Sequence, residues 1–382
     1  MFFFFFCIVF YLKKQGKKMS KIITKEKKIK NKGQYIRVRH IYRIFNVPIF
    51  FRDDKISYAK EIIKDFLTQR LYGYIPMTLA ISEYIAREPN ILEQTQNLLA
   101  NLAPKEARKV LLIIKRLQEM REKLLSNKAI HTLELRQKDE IDALNAARNF
   151  QANIVKMNDI YIYDGYFLPK MHGISTFFYR HGLHILESKT LDSMKNKDFI
   201  DVGGYIGDSA IIFEREFCDK KIHTFEATKA NFKLMLKTLE LNKSKRIIPV
   251  NKGLGAKNES IEIAVNDSCS TMNSEVKTMN EFLESEMCEI ITLDSYVREN
   301  NVDVGFIKVD IEGFEQEFLK GAIETISRFK PAMLISIYHN GSDFFKIKPL
   351  IESWNLGYTF KFFKPVDGTI SIETALYCEV KN

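Results

Sequence analysis

The sequence predicts a doubly wound α/β fold with a mostly parallel sheet over its C-terminal half, preceded by a helical region. Three observations carry this. From Asp198 onward, short apolar runs alternate with amphipathic stretches of helical period. One of those runs, from Phe199 to Gly203, ends in a glycine-rich turn that opens directly into a helix. The pattern closes on two strands, Tyr358 to Phe363 and Glu373 to Val380, joined by a turn at Pro365-Val366-Asp367-Gly368. Such an ending puts an antiparallel strand on an otherwise parallel sheet.

Composition narrows the class. The chain has 382 residues, enough for one large domain with an extension or for two domains. Apolar residues make up 46% and charged residues 28%, globular values that exclude a disordered, collagen-like or disulfide-dense protein. No window holds the roughly 18–20 consecutive apolar residues that a spanning helix needs. The five cysteines are scattered, with no C-x-x-C spacing and no metal-ligand pattern with the histidines. An odd, scattered set is expected to be reduced, which points to the cytoplasm. The net charge of +10 is local: residues 1–60 hold 16 Lys/Arg against 3 Asp/Glu, leaving 42 against 45 in the rest. A near-neutral body gives no reason to expect a nucleic-acid partner.

Four segments follow. Residues 1–55 read as a basic tail with an apolar start. Phe2 to Leu12 is apolar and is followed by Lys13, Lys14, Lys17 and Lys18, the reverse of a secretory signal. Either translation begins at Met19, leaving residues 1–18 unmade, or the segment is a peripheral anchor with a polybasic flank at the inner membrane face. Any membrane contact is confined to it. Residues 56–152 read as helical, with Ile62, Ile63 and Phe66, then Val110, Leu111, Ile114 and Leu117, at three- and four-residue steps. Pro104 sits at a helix start, and Pro89-Asn90 breaks the stretch from Met77 to Leu99. Residues 153–197 are an aromatic-rich docking segment, with a short strand Ile160 to Tyr163 and a turn at Asp164-Gly165.

The fourth segment, 198–382, carries the sheet. Strands are expected at Phe199 to Gly203, Ile222 to Glu226, Arg246 to Asn251, Ser260 to Val265, Phe306 to Val309 and Ala332 to Ile337. Helices are expected at Ser209 to Phe217, Ala230 to Asn242, Leu293 to Asn300, Phe314 to Phe329 and Gly341 to Trp354.

The run Phe199 to Ser209 reads F-I-D-V-G-G-Y-I-G-D-S. Gly203, Gly204 and Gly207 let the backbone turn sharply and approach a ligand. The helix start can receive an anionic group, and Asp208 and Ser209 are capping residues for it. Glu226 ends the next strand, where a carboxylate can accept from two ribose hydroxyls. A dinucleotide fold wants G-x-G-x-x-G, which no phasing of these glycines satisfies. Asp201 ahead of them suits a cofactor with an amino-acid tail, whose amine it would reach directly or through water. S-adenosylmethionine (SAM) fits.

Four blocks stand out: D-V-G-G-Y-I-G-D-S from Asp201, T-F-E-A-T-K-A-N-F from Thr224, T-L-D-S-Y from Thr292, and I-K-V-D-I-E-G-F-E-Q-E-F-L-K-G-A from Ile307. In them the chain resembles the FkbM-like family of SAM-dependent methyltransferases. Ala227 stands where the family's second block has proline. S-I-Y-H-N from Ser336 and E-T-A-L-Y from Glu373 are also similar. The resemblance covers about Asp198 to Val380. It implies the seven-stranded class I methyltransferase sheet and methylation of a hydroxyl group, often on a sugar or secondary metabolite. The expected partner is a small-molecule or glycan acceptor. The alternatives are a non-catalytic SAM-binding or interaction protein and a nicotinamide-dependent oxidoreductase, the latter disfavoured by the glycine phasing.

Asp310 ends the strand Phe306 to Val309, and Glu312 follows it. A hydroxyl is a poor nucleophile, so a base would help. Asp310 is the first candidate base, Glu312 the second and His339 an alternative. Lys308 either pairs with one of these carboxylates or faces solvent. Asp294 most simply caps the helix that follows it. The polar stretch Asn266 to Thr271 is either plain loop or a lining of the acceptor or adenine side. No ligand spacing calls for a metal.

Overall fold

The computed structural model describes residues 23–31, 35–44, 47–57, 77–125, 138–265, 270–271 and 284–380. The chain divides into two compact units, Met1–Ile75 and Pro76–Asn382.

In the first unit, Ile23–Asn31, Tyr35–Ile44 and Val47–Ser57 form a three-stranded antiparallel sheet. Ile23 stands opposite Ile44, and Tyr35 opposite Ser57. The expected basic tail therefore contains strands. The physical reason lies in its spacing: Ile36 and Val38 alternate with Arg37 and Arg39, a period of two that a charge count hides. The apolar start, Met19, and Ile62, Ile63 and Phe66 lie outside the described residues.

The second unit is built on a seven-stranded sheet. Its order is Tyr358–Phe363, Ala375–Val380, Ala332–Ser336, Val304–Val309, Asp198–Val202, Ile222–Phe225 and Ile247–Val250. The five strands from Ala332–Ser336 to Ile247–Val250 are mutually parallel. Ala375–Val380 is antiparallel to both its neighbours. This is the sheet that the resemblance implies, with Ala375–Val380 inserted one strand in from the edge formed by Tyr358–Phe363. Chain order reverses between Asp198–Val202 and Val304–Val309, so the carboxyl ends of these two strands flank the sheet's switch point.

Alternation along the strands feeds two cores. Phe199 and Phe306 lie on one face with Phe213, their ring centroids 5.0–5.8 Å apart. Ile200, Val202, Ile307 and Val309 lie on the other, in a cluster with Ile81, Val110, Ile113 and Leu117. Helix 77–87 and helix Pro104–Leu125 thus share a core with the sheet. Helix Lys138–Ala152 adds Ala147 and Phe150 to the Phe199 face. The helical region expected over 56–152 is accordingly, from Pro76 on, part of the sheet's own compact unit.

Residues 153–197 open with a meander of Val155–Met157, Ile160–Tyr163 and Tyr166–Leu168. Its second turn has φ of 47° at Asp164 and 72° at Gly165, both positive, as a two-residue hairpin loop requires. Elsewhere the expected elements shift. The strand foreseen at Ser260 to Val265 belongs to a second, four-stranded sheet, ordered Gly253–Leu254, Glu284–Ile291, Glu259–Val265, Ser270–Thr271. Asn266 to Cys269 lie outside the described residues. The helix foreseen over Phe314 to Phe329 is two, Glu315–Lys320 and Ile323–Phe329. They part at Gly321, where a Cβ would come 2.0 Å from the Gly255 carbonyl oxygen.

Candidate functional site

The strand Asp198–Val202 runs into Gly203, whose φ is +78°, and the turn ends at Gly207, whose φ is +80°. Gly203 and Gly204 both donate to the Phe225 carbonyl, at 3.1 and 2.8 Å. A Cβ at Gly203 would lie 1.8 Å from the Asp310 carbonyl oxygen, and one at Gly204 would lie 2.1 Å from Thr224 Oγ1. Glycine is required here because the loop is wedged between the tips of its two neighbouring strands.

Asp201 is fully buried. Its carboxylate accepts from Thr224 Oγ1 at 2.8 Å and lies 3.1 Å from Lys308 Nζ. It faces these two groups inside the protein, not a cofactor amine as the sequence suggested. Lys308, expected to meet Asp310 or Glu312 or to face solvent, is instead 4% exposed, pairs with Asp201 and donates to the Gly203 carbonyl at 2.8 Å. Together they brace the glycine loop from below. Burial disfavours the Lys308 charge, yet the Asp201, Asp310 and Asp208 carboxylates outweigh it and raise its pKa.

Glu226 follows the second strand and is nearly buried. Tyr205 N donates to Oε2 at 3.0 Å, while Thr228 N and Oγ1 donate to Oε1 at 2.9 and 2.6 Å. The Asn231 side chain is a further partner. Burial raises its pKa, against these hydrogen bonds. A carboxylate has about four acceptor positions. Tyr205 N, Thr228 N, the Thr228 hydroxyl and Asn231 together account for these positions.

Neither Asp208 nor Ser209 is the N-cap, although the Asp208 carboxylate accepts from the Ser209 amide in the first turn. The helix Asp208–Ile212 starts from Gly207 without a side-chain cap. Asp208 accepts from Thr176 Oγ1 at 3.3 Å, and burial raises its pKa. Ser209 Oγ lies 2.9 Å from His181 Nε2. His181 was not legible as a site residue. It sits in three successive left-handed residues, Arg180, His181 and Gly182, with φ of 50°, 55° and 86°. Burial, with the Lys308 charge, brings its pKa down to about 3, so the ring is neutral. Such strain concentrates at functional sites.

The carboxylate cluster forms at the next strand tip. Asp310 N donates to the Val202 carbonyl at 3.0 Å, which continues the strand pairing by one residue. Tyr338 Oη donates to Asp310 Oδ1 at 3.2 Å. A turn through Glu312 and Gly313, with φ of 58° and 97°, brings the Glu312 side chain back. His339 joins all of them: its Nε2 lies 3.3 Å from Asp310 Oδ1 and 3.6 Å from Glu312 Oε2, and its Nδ1 lies 2.9 Å from Glu315 Oε1. Glu315 is fully buried, was not singled out by its sequence position, and also accepts from Ile311 N at 3.0 Å. The donor atoms of Asp310, Glu315 and His339 lie within 4.8 Å of one another, a gathering that sequence spacing did not disclose.

Burial works against a charge on His339, but Glu315, Glu312 and Asp310 outweigh it and hold its pKa well above the ordinary range. In this state the ring carries a proton and cannot serve as the alternative base. Burial also opposes ionisation of Asp310, yet His339 and Lys308 bring its pKa down to about 2. Burial, with the Asp310 and Glu315 charges, raises Glu312 to about 7. Burial raises Glu373 likewise to about 7, with the Asp310 charge assisting. Asp294 does not cap its own helix: Thr292 Oγ1 accepts from Ser295 N there. Asp294 accepts from Glu324 N and Thr325 N at 3.1 and 2.8 Å, capping the helix Ile323–Phe329.

Residues 201–361 match the family model of the methyltransferase FkbM domain. The chain carries an FkbM methyltransferase domain. The matched span holds both the glycine loop and the carboxylate cluster. Among solved structures, the chain is similar to a methyltransferase FkbM from Methylobacillus flagellatus KT, with 19% identity and a TM-score of 0.47. The match covers 78% of this chain and 60% of that one, so the chain carrying this FkbM domain spans about three fifths of the other protein. It is also similar to Aeropyrum pernix fibrillarin solved with natively bound S-adenosyl-L-methionine, at 13% identity over 49% of this chain and 67% of that one, TM-score 0.30. A third is M. jannaschii TYW2 in complex with AdoMet, at 12% identity over 59% and 82%, TM-score 0.29. No curated protein matches the chain.

Proposed function

We propose that this chain is a SAM-dependent O-methyltransferase acting on a sugar, glycan precursor or secondary metabolite. The observation that carries the reading is the contact between Gly203 and Asp310, which sets the glycine loop directly against the carboxylate cluster. A methyl donor cradled by Gly203, Gly204, Gly207 and Glu226 would present its sulfonium beside acidic groups. Bound there, the donor would supply the methyl group and keep its sulfur as a thioether, while the carboxylates at the strand tip would take the proton of the acceptor hydroxyl. Holding the two reactants in line supplies much of the acceleration, on the order of several kcal/mol. Acid groups at that tip favour an acceptor without negative charge, and a nucleic acid is disfavoured for the same reason. The location that goes with such an acceptor is the cytoplasm, with any contact at the inner membrane face left to the N-terminal segment. Among the described residues, no helix is long and apolar enough to cross a membrane.

The test is methyl transfer from labelled SAM into the lipid, polysaccharide and small-molecule fractions of a cell extract. Label in one fraction, stable to alkali as an ether is, supports the reading. SAM binding without transfer would favour the non-catalytic alternative. Binding of a nicotinamide dinucleotide in its place would overturn the cofactor assignment.

A further inference from the structure

The cluster at the strand tips holds more ligating groups than proton transfer needs. His339 is 2% exposed, and neither ring nitrogen makes a well-directed hydrogen bond, although carboxylate oxygens face both. Glu312 Oε2 and Glu315 Oε2 are also buried without a hydrogen-bond partner. The two sides of the ring differ. On the Nδ1 side, Glu315 is fully buried and tied to Ile311 N. On the Nε2 side, Asp310 and Glu312 are 24% and 27% exposed.

That asymmetry suits a metal-binding histidine, whose one nitrogen turns to a buried carboxylate, here Glu315 at 2.9 Å from Nδ1, while the other is kept for the ion. Bonds of about 2.0–2.2 Å from nitrogen and oxygen donors to a divalent ion set neighbouring donors about 3.0–3.5 Å apart. Asp310 Oδ1 already stands 3.3 Å from Nε2, and Glu312 Oε2 at 3.6 Å needs only a small side-chain adjustment. We propose that Asp310, Glu312 and His339 Nε2 bind one divalent first-row metal ion, with Glu315 as the positioning residue on Nδ1. A mixed imidazole and carboxylate set suits ions such as Mn²⁺ or Zn²⁺. Three protein ligands leave coordination positions open. The role of the ion rests on the methyl-transfer reading: an acceptor hydroxyl in an open position would be polarised and lose its proton more readily.

The binding test needs neither SAM nor acceptor. Full-length protein is stripped with a chelator and titrated by calorimetry with Mn²⁺ and, separately, with Zn²⁺. One ion per chain is expected. Asp310→Asn and His339→Asn should each weaken binding at least tenfold, and Glu315→Gln should weaken it roughly 10–100-fold, the span for a lost outer-shell partner. Asp294→Ala, remote from the cluster, should leave it unchanged. No saturable binding, or binding that Asp310→Asn leaves intact, overturns the site. Should His339→Asn lose its fold by circular dichroism, Asp310→Asn decides alone, since that side chain is partly exposed and the change is isosteric. Turnover of labelled SAM before and after chelation is a separate arm. Undiminished turnover by stripped protein overturns the polarising role, whereas absent turnover with one ion bound overturns the methyl-transfer reading.

Discussion

Lys308→Met removes the cation under the glycine loop while keeping most of the side chain's length. Asp201, with no exposed surface, then retains only the Thr224 hydroxyl, and the Gly203 carbonyl loses its donor. Lys308 keeps its charge through neutral pH, because the surrounding carboxylates raise its pKa against its burial. Breaking one side of a buried ion pair costs about 3–5 kcal/mol, most of it from the charge left behind. Removing both charges, with Asp201→Asn and Lys308→Met together, should recover about 2 kcal/mol or more of that loss. Urea unfolding at pH 7, followed by circular dichroism, measures the two variants and the cycle. Calorimetry with SAM should show weaker binding in the single variant, since the loop loses its brace. A loss under about 1 kcal/mol for Lys308→Met, or a double variant as unstable as the sum of the singles, would refute the brace.

Three further outcomes are expected. Glu226→Ala should weaken SAM binding by about 1–3 kcal/mol, the range for hydrogen bonds to a charged group; calorimetry on the folded variant reads it, and unchanged affinity removes Glu226 from the site. Asp294→Ala should cost about 1–2 kcal/mol through the helix Ile323–Phe329. Hydrogen exchange should speed at the Glu324 and Thr325 amides and not at Ser295, and the opposite pattern would return Asp294 to its own helix. Burial brings His172 down to about 4, against its contact with the Tyr166 carbonyl. The unfolded chain, with an ordinary histidine pKa of about 6.5, then binds a proton that the folded chain refuses, so stability falls as pH drops from about 6.5 toward 4. His172→Phe should lose less melting temperature between pH 7 and 5 than the parent, and equal losses would show that His172 does not carry the effect.

The centre of the parallel sheet was legible because strands such as Ile222–Phe225, Val304–Val309 and Ala332–Ser336 are buried throughout and read as short apolar runs. Val304–Val309 is buried throughout and stood out. Glu284–Ile291 is different: Met287 is 59% exposed and Cys288 3%, so this half-exposed strand offers no continuous apolar run. The glycine loop could be located in the sequence, but the partners of Asp201 could not. Lys308 lies opposite Asp201 in the sheet register, a neighbourhood that exists only once the two strands pair. Glu315 was hidden by its helical setting, and it reaches His339 only because Ala332–Ser336 lies beside Val304–Val309. Asp294 shows the limit most clearly. Residue type identified it as a cap, but the helix it caps begins about thirty residues later.

Gly203 and Asp310 meet backbone to backbone, with a separation that leaves no room for even a methyl group. A side chain at Gly203 would therefore displace the Asp310 backbone, whereas a change in the Asp310 side chain leaves that carbonyl where it is. Variation can enter where side chains meet instead. Ser175 touches Glu373 by a side-chain hydrogen bond, and Gly182 is pressed against the Phe363 ring. Substitutions at Ser175 and Glu373 can therefore be tried without touching the backbone contact of Gly203 and Asp310.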